Sequence, residues 1–177
     1  KYDCCCGGFV WEWCDHAVNA GVAENGKTKY LYGGDSGELA HDGNFCMDGL
    51  CYPDRTPHTG LLELKQVYRP VRITRKDDTT FEIKNLLAFT NAGEILDGHY
   101  EITYDGGVYK KGDFDFSVSP LGTTEITIPE AAEIKDKTAY IRFIFTAKND
   151  TLWCERGYEV CFDQLALIKV KAARKDI

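Results

Sequence analysis

Across 177 residues, 44% of them hydrophobic, the chain can bury a real core, enough for one complete domain with an appendage or for two small ones. Its 28 acidic residues against 21 basic give a formal charge of −7, and the short tail from Lys169 to Lys175 is the longest basic stretch, which argues against nucleic acid as a partner. No apolar run approaches the ~20 residues that cross a bilayer, and the opening Lys-Tyr-Asp-Cys-Cys-Cys is not a signal peptide, so the expectation is a soluble chain with no membrane partner.

The pattern changes near Pro70, which divides the chain into expected domains at 1–69 and 70–177. Gly8 to Cys14 is a short apolar run with three aromatics, suited to a buried strand of a parallel sheet or barrel. Asn25-Gly26 marks a tight turn between two short extended pieces. From Tyr32 to His58 the chain is rich in Gly, Asp, Asn and Pro; a loop of that length belongs to a functional site or to something larger. Leu61, Leu62, Leu64 and Lys65 to Val67 give about two and a half turns of helix, with Thr59 as N-cap and Pro70 as the stop. Short β-runs separated by turn residues follow: Val71 to Lys76, Phe81 to Asn85, His99 to Tyr104, Gly107 to Lys111, Glu125 to Ile128, Ala139 to Thr146 and Glu159 to Val170. Their number and spacing predict an antiparallel, immunoglobulin-like β-sandwich, with Ile141, Phe143 and Phe145 facing the core and Tyr158, Val160 and Phe162 lining the facing sheet.

Eight cysteines could form a disulfide framework, but Cys4, Cys5 and Cys6 are consecutive, and Cys14 and Cys161 lie in apolar runs. Buried free thiols in a reducing cytoplasm are the preferred reading. Zinc needs two closely spaced ligand pairs, and only Cys46 with Cys51 comes near one.

Four motifs carry a resemblance. Gly7-Gly8-Phe9-Val10-Trp11-Glu12-Trp13-Cys14-Asp15-His16 is followed by Tyr32-Gly33-Gly34-Asp35, Asn44-Phe45-Cys46-Met47-Asp48-Gly49-Leu50 and Pro53-Asp54-Arg55-Thr56-Pro57-His58. In order and spacing they resemble the last barrel strand and following loops of the bacterial β-galactosidases of glycoside hydrolase family two. More faintly, Trp153, Gly157 and Gln164 match the closing strands of the domain after that barrel. The resemblance implies a mainly β chain: an irregular remnant of a (β/α)8 barrel (last strand, long loop, last helix), then the sandwich. It also implies a parent that is a retaining glycosidase acting on terminal β-D-galactosides through two glutamates. Both would precede this stretch, so no catalytic residue is assigned here and the chain alone is expected to be inactive. Glu12 belongs to the Trp-Glu-Trp motif and Glu63 to the helix; neither takes that role.

By the same resemblance Trp11 is a stacking platform for a galactose ring, whereas Trp13 packs in the barrel core. The Phe45 carbonyl and the Asp48 side chain would hold a monovalent cation, sodium, that also meets the sugar's 6-hydroxyl; the best-known relatives carry Asn at the second position. The bland alternative for Asp48 is a turn cap before Gly49. Magnesium is implied for the parent, but His41 stands where relatives carry an asparagine ligand and imidazole suits magnesium poorly. His16 and His58 read as structural residues, and Asp35, Asp54 and Arg55 as locks on the long loop. Two other readings compete. One is a carbohydrate-binding module using an aromatic strip of Tyr100, Tyr104 and Tyr109; the other is a bracing sandwich that binds no sugar. Partners would be the galactoside, the parent's remaining domains, and a second copy or the chain's own sandwich docking on exposed Phe9, Val10 and Trp13.

Overall fold

Two different ways of satisfying backbone groups divide this chain. The computed structural model describes Cys4 and residues 6–168, and splits into the units Lys1–Val67 and Tyr68–Ile177. The expected last residues of the final strand, Lys169 and Val170, lie outside the described residues.

In the first unit regular structure is sparse. The hairpin predicted around Asn25-Gly26 is present as β1 (Val18–Val22) and β2 (Thr28–Leu31). Gly26 takes φ 77°, which the missing Cβ permits, and the Asn25 side chain accepts from the Lys27 amide at 3.0 Å. Helix α1 (Thr59–Val67) buries no residue. It starts at Thr59, not after it, because the Leu61 amide already reaches the His58 carbonyl at 3.0 Å, so Thr59 is the first helical residue and not the cap. The expected strand from Gly8 to Cys14 is corrected too. Its ladder is reduced to one isolated parallel bridge between Cys14 and Cys51. An apolar run becomes a strand only when neighbouring strands offer it a ladder, and among the described residues none lies alongside.

In the second unit, period-two alternation decides the architecture. β3 (Val71–Arg75), β4 (Thr80–Asn85) and β7 (Thr123–Thr127) form one antiparallel sheet in the order β3-β4-β7. β5 (Leu96–Tyr104), β6 (Gly107–Phe114), β8 (Ala139–Ala147) and β9 (Glu159–Ile168) form the other, in the order β6-β5-β8-β9. The chain changes sheet after β4, β6 and β7, the strand arrangement of an immunoglobulin-like sandwich. A one-turn helix α2 (Ala92–Ile95), capped by the Asn91 side chain on the Gly93 amide at 3.0 Å, and a 3-10 turn at Pro129–Ala132 fill two crossovers.

Val71, Ile73, Phe81 and Ile83 of one sheet meet Ile102, Ile141, Phe143 and Phe145 of the other, all buried. Phe81 packs edge-on to Phe143 at 4.8 Å between ring centres. The prediction for Ile141, Phe143 and Phe145 holds. That for Tyr158 and Phe162 does not, while Val160 packs against the core; β9 also pairs with β8 in the same sheet instead of facing it. A register shift beside Thr146 leaves Val160 without a cross-strand partner and turns Cys161 inward, so Tyr158 is exposed and Phe162 lies on the outer face, where the Arg142 guanidinium sits 4.3 Å from its ring centre.

The open edges of β3 and β9 are tied by side chains. Asp163 accepts from the Ile73 amide at 2.9 Å and pairs with Arg69 at 2.9 Å, while Arg75 donates to the Leu167 carbonyl at 2.6 Å. Asn85, fully buried, donates to the carbonyls of Thr90, Val118 and Ser119 and accepts from the Leu87 amide, so one side chain holds two crossovers.

Candidate functional site

Three of the four motifs of the first unit are knitted by backbone hydrogen bonds. The Glu12 and Trp13 carbonyls accept from the Leu50 and Cys51 amides at 3.0 and 2.9 Å, and the Asp15 amide donates to Cys51 at 2.9 Å. His16 donates to the Cys46 carbonyl at 2.8 Å, and His58 to Leu50 at 2.9 Å. At the junction lies Asp15, its side chain only 2% exposed. Its Oδ1 accepts from the Gly49 amide at 2.8 Å, and its Oδ2 is 3.1 Å from His58 Nε2, an ion-pair distance without hydrogen-bond alignment. His58 in turn packs on Tyr52 at 3.9 Å between ring centres. Gly49 has no alternative: a Cβ there would stand 2.2 Å from the Asp15 nitrogen.

Phe45 and Asp48 lie on the loop so tied, both exposed, Phe45 to 77%. The Gly49 amide that follows Asp48 is taken by Asp15. Trp11, four residues before Asp15, is 79% exposed. Trp13, expected in a barrel core, is 61% exposed, and Phe9 and Val10 are exposed as well, because no described strand covers this segment. The peptide bond between Trp11 and Glu12 is cis.

The remaining candidates act locally. Glu12 meets His16 at 3.0 Å, and Glu63 is an exposed residue of α1. The His41 ring lies against Gly34, and its Nδ1 accepts from the Gly43 amide at 3.1 Å, which makes His41 a loop brace. Asp35 accepts from the Tyr32 amide at 3.0 Å, and Asp54 from the amide and hydroxyl of Thr56 at 2.9 and 2.7 Å. The hydroxyl, then the amide, hold the Asp54 carboxyl below its ordinary range. Arg55 takes φ 72° and lines, with Asp15, His16, Tyr32 and Glu38, a cleft of about 460 Å³. Glu38, not singled out in the sequence, accepts from the Gly34 and Ser36 amides at 2.9 and 3.1 Å. These backbone bonds, its own amide's first, lower its pKa.

For a hard monovalent cation the donor chemistry of Phe45 and Asp48, a carbonyl and a carboxylate oxygen, is suitable. Among the described residues no three His, Cys, Asp or Glu side chains gather to hold a metal ion, and none is assigned to magnesium. The aromatic strip fails on parity. Tyr100 and Tyr104 alternate with the outward residues of β5, Tyr100 buried and Tyr104 packed on the core, which leaves only Tyr109 largely outside.

Comparison with known proteins bears on both units. The model of glycosyl hydrolases family 2, TIM barrel domain, matches residues 1–73, and that of β-galactosidase, domain 4, matches residues 81–168. The chain therefore belongs to glycosyl hydrolase family 2, at the passage from its barrel to the following sandwich. Its relatives there are β-galactosidases. One from Actinobacillus pleuropneumoniae is 50% identical over 162 residues, 92% of this chain and 15% of the relative. Those from Staphylococcus xylosus and Priestia megaterium are 34% and 35% identical over 93% and 97% of this chain, and 16% and 17% of their own lengths. The chain thus spans about a sixth of the relatives it matches. No helix of the described residues is long and apolar enough to cross a membrane.

Proposed function

We propose that this chain is part of a retaining β-galactosidase that hydrolyses terminal β-D-galactosides, and that it contributes pocket wall and bracing, not proton transfer or nucleophilic attack. The carrying observation is the 50% identity to a β-galactosidase over 92% of the chain. Trp11 offers its indole face to the apolar side of the galactose ring, and the Phe45 carbonyl with the Asp48 carboxylate holds a monovalent cation. A bound cation supplies positive charge for the sugar's 6-hydroxyl oxygen. The general acid and the nucleophile, two glutamates about 5–5.5 Å apart in a retaining enzyme, belong to barrel strands outside this sequence. The sandwich braces the barrel. Substituting Trp11→Ala in the complete protein tests the wall: KM for a β-galactoside should rise about tenfold, the loss of a stacked aromatic contact. An unchanged KM would remove Trp11 from the pocket.

A further inference from the structure

We propose that Asp15 is the positioning residue of the Phe45–Asp48 loop, and that it sets how that loop presents its two oxygens to a cation and sugar. This rests on the reading of that loop given above. The loop is held at two points, and both lie one residue from a candidate ligand. Cys46, next to Phe45, gives its carbonyl to the His16 amide at 2.8 Å; Gly49, next to Asp48, gives its amide to Asp15 Oδ1 at 2.8 Å. Both clamps come from consecutive residues, 15 and 16, which directly follow the Trp11–Cys14 segment, so Trp11 and the clamps share one short stretch of backbone.

The side chain of Asp15 is built for holding, not for chemistry. It is buried, and its second oxygen faces His58 at 3.1 Å, while the backbone of residues 14 and 15 sits so close to Gly49 that no Cβ fits. A charged acceptor on a backbone amide in a dry site is strong and directional, and a displacement near 1 Å at a binding site costs much of its function. Gly49 cannot turn away without stranding a buried carboxylate.

Two sets of measurements test this. In the 177-residue chain, Asp15→Ala should speed hydrogen exchange at the Gly49 amide by at least about tenfold, with Ile141 and Phe143 unchanged, and Asp15→Asn, which keeps an acceptor oxygen, should restore most of the protection. Full protection of Gly49 in Asp15→Ala overturns the clamp. In the complete protein, Asp15→Ala should raise KM for a β-galactoside and the sodium concentration for half-activation by about tenfold each, with kcat changed less and Asp15→Asn falling between. A fall in kcat alone, with KM and sodium dependence at wild-type values, also overturns the proposal. Asp48→Ala separates the two ideas: if it leaves sodium dependence unchanged, the cation reading falls, and with it the purpose assigned to the clamp, whatever Gly49 exchange shows. Should Asp15→Ala not fold, His58→Gln, which keeps Asp15 and removes the imidazole 3.1 Å from its second oxygen, serves the same comparison with a smaller expected shift.

Discussion

The two units solve the same problem with opposite means. In the second, two sheets sandwich a core of aliphatic and aromatic side chains, and hydrogen bonds run in regular ladders. In the first, the buried side chains among the described residues are Cys14, Cys51 and Asp15, and segments far apart in sequence are joined by single backbone bonds and one carboxylate. Burial of apolar area stabilises the sandwich by itself, whereas a loop assembly with exposed Phe9, Trp11, Trp13 and Phe45 has little area to set against its conformational entropy. A well-buried module and a thinly buried one in the same chain should differ in how readily they open locally.

The comparison can be broken most sharply in the sandwich. Phe143→Ala should cost about 3–5 kcal/mol, seen as a lower denaturant midpoint of the second unit; a loss below about 1 kcal/mol would mean that the core is not where the stability lies. Asn85→Ala should cost on the order of 3 kcal/mol, since three carbonyls lose a donor and the Leu87 amide its acceptor. In the first unit, Gly49→Ala should cost about 2 kcal/mol by forcing Cys14 and Asp15 away, with the sandwich transition unmoved. One common transition for both units, lowered by this change, would contradict their separation.

Acid gives the smallest effect, and its sign is fixed. Asp54 and Glu38 have carboxyls lowered by hydrogen bonds, so their contribution is fully present above the ordinary carboxylate range and is lost as pH falls through the lowered values. Amide exchange at Thr56 and Ser36 should therefore quicken, relative to its intrinsic rate, only in strong acid. Asp77, lowered by the amides of Thr79 and Thr80, should show the same order at the β3–β4 turn. A change near neutral pH would contradict the assignment.

Much of the sandwich was legible because alternation is local: Ile141, Phe143 and Phe145 could be placed inward from their own strand. Strand ends were not. His99 to Tyr104 and Gly107 to Lys111 stopped short because glycine reads as a break, yet Gly98 and Gly112 lie inside the ladder, each leaving room for a ring from the opposite strand, Phe114 over Gly98 and Tyr100 over Gly112. The inward face of β9 was misread since a bulge shifts parity, and bulges leave no periodic trace. At the candidate site the motifs marked Trp11, Phe45 and Asp48, but nothing marked Asp15 as the residue between them. Its partner Gly49 is 34 positions away, and such a contact exists only after folding. The one available hint was a carboxylate directly after an apolar run, where a buried charge must find a partner.

The most direct test of the central claim is hydrolysis of a chromogenic β-galactoside by the purified 177-residue chain, beside the complete protein under the same conditions. An inert chain and an active complete protein are the expected result, with pocket wall present and both catalytic glutamates elsewhere. Turnover by the chain alone would contradict the account and make Glu12 the first residue to replace.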